Sequence, residues 1–339
     1  MSRASIVGVL IAVEVVIVGV ALYVIGGAGG WSAMHPHGSF FMGMHHYSFE
    51  ATPIAPLEAG SSPAIAVDDP DSRVEIGPSS DGLVHVKDLT GVSGARFAGD
   101  SSISQLRVTR TSNGVSIERP SHQHFFVFGS IDERIEIDAP PGSSFDVSRC
   151  SGADVSGIDG AVTVRSQDGH VTLADLHGTV DARSDDGYVD ANGIHADSLA
   201  VESSDGHLAL HDVAVATLTA RTSDGSIEAG GLAIAGAHPS ATIHTDEGRV
   251  RVAGTFAPGG TYNVSSNDGS LELALPNSSD LTVAASTGDG HIVVDGASIA
   301  TGDDSDSVQH TIRLGDGSGS LQLSTSDGSI HISTNNGAV

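Results

Sequence analysis

Ser203-Ser204-Asp205-Gly206-His207-Leu208-Ala209-Leu210 is the stretch that decides how this chain folds. Asp-Gly marks a turn, and Leu208 and Leu210, two residues apart, mark one face of a strand. The same unit returns upstream as Ser166-Gln167-Asp168-Gly169-His170-Val171-Thr172-Leu173 and Ser184-Asp185-Asp186-Gly187-Tyr188-Val189. Downstream copies centre on Asp224-Gly225, Glu247-Gly248, Asn267-Asp268-Gly269, Asp289-Gly290 and Asp327-Gly328. From Asp168 to Asp289 the acid-Gly steps are spaced 18, 19, 19, 23, 21 and 21 residues apart. The longer step from Asp289 to Asp327 reads as two periods, with a degenerate copy near Asp316-Gly317, and Ser80-Asp81-Gly82 reads as an early relative.

A fixed period near 20 signals a stack of equivalent coils. A strand that is apolar on one face only cannot bury that face alone. Coils stacked about 4.8 Å apart pair every backbone group and bury a continuous thin core. The predicted fold is therefore all-β, a β-solenoid (β-helix) of about 20-residue coils with Asp-Gly turns. In those turns glycine is expected to supply a positive φ, and aspartate to bond its own backbone. Asn192-Gly193 and Ala229-Gly230-Gly231 read as a second, looser break in each coil. The alternative is an antiparallel β-sandwich in which each Asp-Gly closes a hairpin.

Composition agrees with a thin core. The chain has 339 residues, 43 of them glycine, with 4% aromatics and a formal net charge of −27. Glycine without a three-residue period excludes collagen. Lys87 is the single lysine, so there is no basic patch to release phosphate counterions, and nucleic acid is excluded as a partner. Cys150 is the only cysteine and cannot form an intrachain disulfide; its strand-like surroundings, Phe145 to Cys150, mark it as a structural thiol.

Before the repeats the sequence changes character. Ala4 to Ile25 is apolar except for Ser5, Glu14 and Tyr23, long enough to cross a bilayer as a helix. The run exceeds the core of a cleaved signal peptide, so residues 1–30 read as an uncleaved signal anchor, a transmembrane helix. Arg3 precedes the run and no Lys or Arg follows until Arg73, which keeps the amino terminus cytoplasmic and places the bulk outside the cytoplasm, in the periplasm or at the cell surface. Residues 31–66 read as a juxtamembrane collar and a Pro-rich linker, with Pro53, Pro56 and Pro63. In the collar, His35, His37, His45 and His46, with Met34, Met42 and Met44, are the candidate ligands for a soft or borderline divalent metal, although their spacing matches no rigid zinc motif. Residues 67–145, less regular but β-rich, read as the N-terminal cap and first coils, and 146–339 as the repetitive solenoid.

Ile135-Glu136-Ile137-Asp138-Ala139-Pro140-Pro141-Gly142-Ser143-Ser144-Phe145-Asp146-Val147, followed by Asp-Gly-x-Val-x-Val repeats, resembles the bacterial putative-adhesin family of repetitive β proteins, a domain of unknown function. The resemblance covers roughly residues 67 to 335. It implies an envelope-associated β-solenoid with a role in adhesion, and carries over no catalytic residue.

Two functional classes follow. The first is an envelope-anchored structural or adhesion/interaction module whose partners are envelope proteins or glycans. The second is a cation- or metal-responsive module using the His/Met collar or a column of turn aspartates: Asp168, Asp186, Asp205, Asp224, Asp268 and Asp289. His170, His207 and His291, each directly after a turn glycine, are placed to point outward. No cofactor and no enzymatic activity is expected: the acids are spread along the repeat instead of clustering in a cleft, which speaks against a polysaccharide-cleaving enzyme.

Overall fold

Strands that follow one another through an Asp-Gly turn do not pair with each other. Val180–Ser184 pairs in parallel with residues 199–203, one coil further along, while residues 189–194 beyond the turn pair with residues 208–213. The turn is a corner between two ladders, not a hairpin, and the sandwich alternative gives way to a β-solenoid-like stack. The computed structural model describes residues 45–46, 50–95, 106–120, 128–301 and 307–335. Among them every regular element is a strand, 26 in all. The segment 4–25, read above as a membrane helix, lies outside the described residues, and no described helix is long and apolar enough to cross a membrane.

The first ladder stacks Ser144–Cys150, Val162–Ser166, Val180–Ser184, residues 199–203, residues 217–222, Ser240–Glu247 and Thr261–Asp268 in that order, all parallel. The second stacks Gly152–Ser156, Val171–Leu176, residues 189–194, residues 208–213, Ile227–Ile234, Val250–Phe256 and Leu271–Pro276. Alternation does the sorting. In Val162–Ser166 and Val180–Ser184 every second side chain is buried, and those side chains face their counterparts from the other ladder across one continuous core. Val, Ile, Leu and Ala make up most of it, with Phe145, Phe256 and Tyr262 as its rings. Tyr262 is the largest fully buried side chain, with its hydroxyl donating to Ala257 O at 2.6 Å.

Both ends of the stack depart from chain order. Ala64–Asp68, the first strand of the first ladder, lies between Gly114–Glu118 and Ser144–Cys150. Arg73–Pro78 likewise lies between Phe128–Ala139 and Gly152–Ser156 in the second ladder. At the other end, Gly319–Asp327 sits between Thr261–Asp268 and Leu281–Asp289, and Ile330–Asn335 between Leu271–Pro276 and His291–Val294. The last coil in sequence is thus the penultimate coil in space, and the first is likewise one place inside its end.

Beyond these inserted coils the ladders close with antiparallel strands. Arg107–Arg110 and His85–Ala95 flank one end, and Val308–Leu314 and Ala297–Thr301 the other. Two sequence expectations are corrected by this. Asp316-Gly317 is not a degenerate coil turn; it lies between the closing strand Val308–Leu314 and the returning strand Gly319–Asp327. Asp81-Gly82 lies between Arg73–Pro78 and His85–Ala95, and Asp81 caps its own turn through Leu83 N at 3.0 Å.

The looser break also takes a different form. Gly193 and Gly231 have positive φ (67° and 66°), as do Asp175 and Asp212 (52° each) in the coils that alternate with them. Each sits inside a strand, as a left-handed bulge repeated coil after coil, and the strand passes through it.

Candidate functional site

The acid-Gly corner returns in every central coil, and its chemistry differs from the sequence reading. The turn glycines Gly169, Gly187, Gly206, Gly225, Gly269, Gly328 and Gly290 do not have a left-handed φ. They stack directly on one another. A Cβ on Gly206 would overlap the carbonyl of Gly187, and one on Gly225 that of Gly206, and the same holds along the column. At these seven, glycine is required because two backbones touch; at the eighth, Gly248, the same contact comes with a φ of 143°.

The residue three before each glycine completes the corner. Ser166, Ser184, Ser203, Thr222, Thr245, Ser266, Thr325 and Thr287 are all buried. Ser203 Oγ accepts the Gly206 N–H at 2.9 Å and donates to Gly187 O, one coil away, also at 2.9 Å. Thr222 and Thr245 donate to Gly206 O and Gly225 O, each at 2.8 Å. The hydroxyl column satisfies backbone groups that the turn takes out of the ladder. It also follows the spatial order of coils: Thr325 donates to Gly269 O and Thr287 to Gly328 O.

The acids between hydroxyl and glycine have no such task. Asp168, Asp186, Asp205, Asp224, Asp268, Asp289 and Asp327 are exposed, and among the described residues their carboxylates have no hydrogen-bond partner. They form the predicted column, but they do not cap their turns. Among the described residues no three His, Cys, Asp or Glu side chains converge as a metal site.

Directly after the glycine, His170 stacks on Tyr188 of the next coil, with ring centroids 3.7 Å apart. Tyr188 is the one large apolar side chain exposed among the described residues. His207 Nδ1 lies 2.7 Å from Ser226 Oγ and His291 Nδ1 3.0 Å from Ser329 Oγ, so each of these histidines engages the adjacent coil instead of another turn histidine.

On the other side of the corner, where the first ladder approaches the turn, the outward side chains form a charged column. Register places Arg183, Glu202, Arg221 and His244 on successive coils. Arg183 Nη1 lies 3.1 Å and Arg221 Nη1 3.7 Å from the Glu202 carboxylate between them. His244 is held by Ser265 and Asp246. With Ser204, Ser223, Asp185 and Asp246 on the rim, these side chains line a groove of about 390 Å³.

The remaining sequence candidates divide simply. His35 and His37 lie outside the described residues. His45–His46 forms a two-residue strand. Cys150 is buried, its thiol 3.5 Å from Arg165 O, and burial pushes its pKa up, which keeps it a thiol and not a thiolate.

Sequence reasoning missed one buried charge cluster. Arg119 bonds Asp69 at 2.6 Å and Asp88 at 2.8 Å, with Glu133 3.5 Å away, all nearly withdrawn from water. Burial opposes the guanidinium charge, but its bonds to Asp88 and Asp69 hold its pKa above the usual range. Burial, aided by Asp69, Asp71 and Asp88 against the pull of Arg119, raises the Glu133 pKa, and Glu133 Oε2 accepts no hydrogen bond. The cluster joins the inserted first coil to the closing strands. Only three-dimensional proximity identifies it, because its members are spread over 65 residues of irregular sequence.

Residues 64–333 match the protein family described as Toastrack DUF4097, a domain of unknown function. No curated protein matches the chain. Among solved structures, the chain is similar to a putative adhesin from Bacteroides fragilis NCTC 9343, at 14% identity and a TM-score of 0.34, covering 84% of this chain and 97% of that one. It is also similar to a putative cell adhesion protein from Clostridium sporogenes ATCC 15579, at 10% identity and a TM-score of 0.22, covering 85% and 99%. A third is a putative lipid binding protein from Parabacteroides distasonis ATCC 8503, at 12% identity and a TM-score of 0.38, covering 85% and 97%.

Proposed function

We propose, from the premise that this chain belongs to the Toastrack DUF4097 family, that it is an envelope-anchored interaction module, tethered through residues 4–25 and presenting the corner of its solenoid to other envelope molecules. The observation that carries this reading is the repetition at the corner. Coil after coil sets an exposed carboxylate at the turn, with polar or ring side chains on either side of it. A partner lying along the stack meets equivalent groups at each step, the arrangement by which repeat proteins bind over extended surfaces.

The test uses the full chain. Expressed in a bacterial host, it should sediment with membranes and, in cells whose outer barrier has been opened, lose its solenoid to added protease while the cytoplasm stays sealed. Labelled protein should then bind isolated envelopes saturably. Prior protease treatment of the envelopes would abolish binding to a protein partner, and periodate would abolish binding to a glycan. A soluble, cytoplasmic product, or binding that never saturates, removes the reading.

A further inference from the structure

The groove beside the corner has a chemistry that narrows the partner. Among the described residues Arg221 has no hydrogen-bond partner. Its only ionic contact is the 3.7 Å approach to Glu202, although a guanidinium carries five donors and this side chain is half exposed. The hydroxyls of Ser204 and Ser223 on the rim likewise have no bonding partner among the described residues. Arg221 and these two hydroxyls are therefore left unspent on a concave strip whose other charged groups pair with one another.

Charge and lining exclude most occupants. No large apolar side chain lines the groove, so an acyl chain or an apolar peptide would find nothing to bury against. Asp185, Glu202 and Asp246 oppose the two guanidinium groups on a chain of net charge −27, so a polyanion meets repulsion. A neutral, hydroxyl-rich molecule meets neither obstacle. Each hydroxyl donates to a carboxylate and accepts from a guanidinium or a serine, and no charge is desolvated without a partner.

The geometry adds a period. Successive coils carry Arg183, Glu202, Arg221 and His244 about 4.8 Å apart, close to the advance per residue of an extended hexose chain. We infer that this groove binds a linear neutral glycan laid along the stack axis, one sugar to a coil. The inference rests on the interaction-module reading above and names the partner class for that surface.

The experiment titrates the detergent-solubilised full chain with cello- and manno-oligosaccharides of two to six sugars, and with a hexamer of galacturonic acid, by calorimetry. At least one neutral series should bind, with affinity rising up to about four sugars and then levelling, because the charged column spans four coils. Ser223→Arg, which fills the groove, should abolish binding. Arg221→Gln should weaken it about tenfold, the loss of a hydrogen bond from a charged donor. Both variants change exposed side chains, so their thermal unfolding should match the parent. Asp316→Asn, away from the groove, should bind as the parent does.

No binding of either neutral series overturns the inference. So does binding of the uronate hexamer alone, or neutral binding indifferent to both groove variants. Saturable, protease-sensitive attachment to envelopes combined with no oligosaccharide binding would leave the interaction module standing and remove the glycan.

Discussion

At the residue scale, the repeated motif reads as hydroxyl, any residue, acid, glycine, and only the first and last of these hold the fold. Gly206 is pressed against the Gly187 backbone, and Ser203 ties the same two coils together. Gly206→Ala should therefore cost about 3 kcal/mol or more, the upper range of overpacking, because backbone and not a yielding side chain stands in the way. Asp205→Ala should change stability by no more than about 0.5 kcal/mol, as for other exposed positions without partners. Urea denaturation of the two variants separates the readings: a larger loss for Asp205→Ala would restore the aspartate as the turn-maker. The motif was legible in the sequence, but the division of labour within it was not. Glycine in a turn is compatible both with a positive φ and with close backbone approach, and one coil seen alone cannot tell them apart.

At the element scale, the inserted end coils set how the stack is held. Gly319–Asp327 and Ile330–Asn335 lie between two coils that precede them in the chain. Removing residues 319–339 should cut residues 281–294 off from the stack, leaving them paired only with the closing strands Val308–Leu314 and Ala297–Thr301. Amide exchange in those intact strands should then become fast, while the coils up to Val250–Phe256 keep their protection. A solenoid stacked in chain order would lose protection only next to the cut, so retained protection at 281–294 would contradict the topology.

The other inserted coil carries two bidentate pairs to its neighbour, Arg73–Asp154 and Arg149–Asp68. It also carries the buried Arg119 cluster, where the raised Glu133 pKa gives a pH signature. The folded state holds the Glu133 proton more tightly than the unfolded chain, so this group's contribution to stability falls as pH rises from its ordinary value of 4.5 through the folded value. Glu133→Gln should be more stable than the parent at pH 7, and the difference should shrink towards pH 4.5. Equal stability at every pH would mean that the carboxyl is not strained in the fold.

At the scale of the whole molecule, charge opposes compaction. The chain carries −27, and its turn acids stand in a column with one member per coil. Added salt should raise the unfolding temperature, sodium chloride acting by screening. If calcium at matched ionic strength raises it well beyond sodium, the acid column binds that cation specifically and the cation-responsive alternative gains the ground that the interaction module now holds. Removal of bound metal by chelator is the complementary measurement, and a fall in the melt would point the same way.

The sequence by itself determined the coil: its length, its apolar alternation, its corner and the exposed acids there. These are local properties, written anew in each 20-residue unit, and a repeat states them many times over. The tertiary structure alone decided which coil lies next to which at the ends. All coils carry nearly the same pattern, so the repeat itself does not say which strand an end coil lies beside. It alone also revealed the glycine-to-glycine contact, the hydroxyl column that bridges coils, and the Arg119 cluster. Each of these is made between coils, where spacing along the chain carries no information about distance.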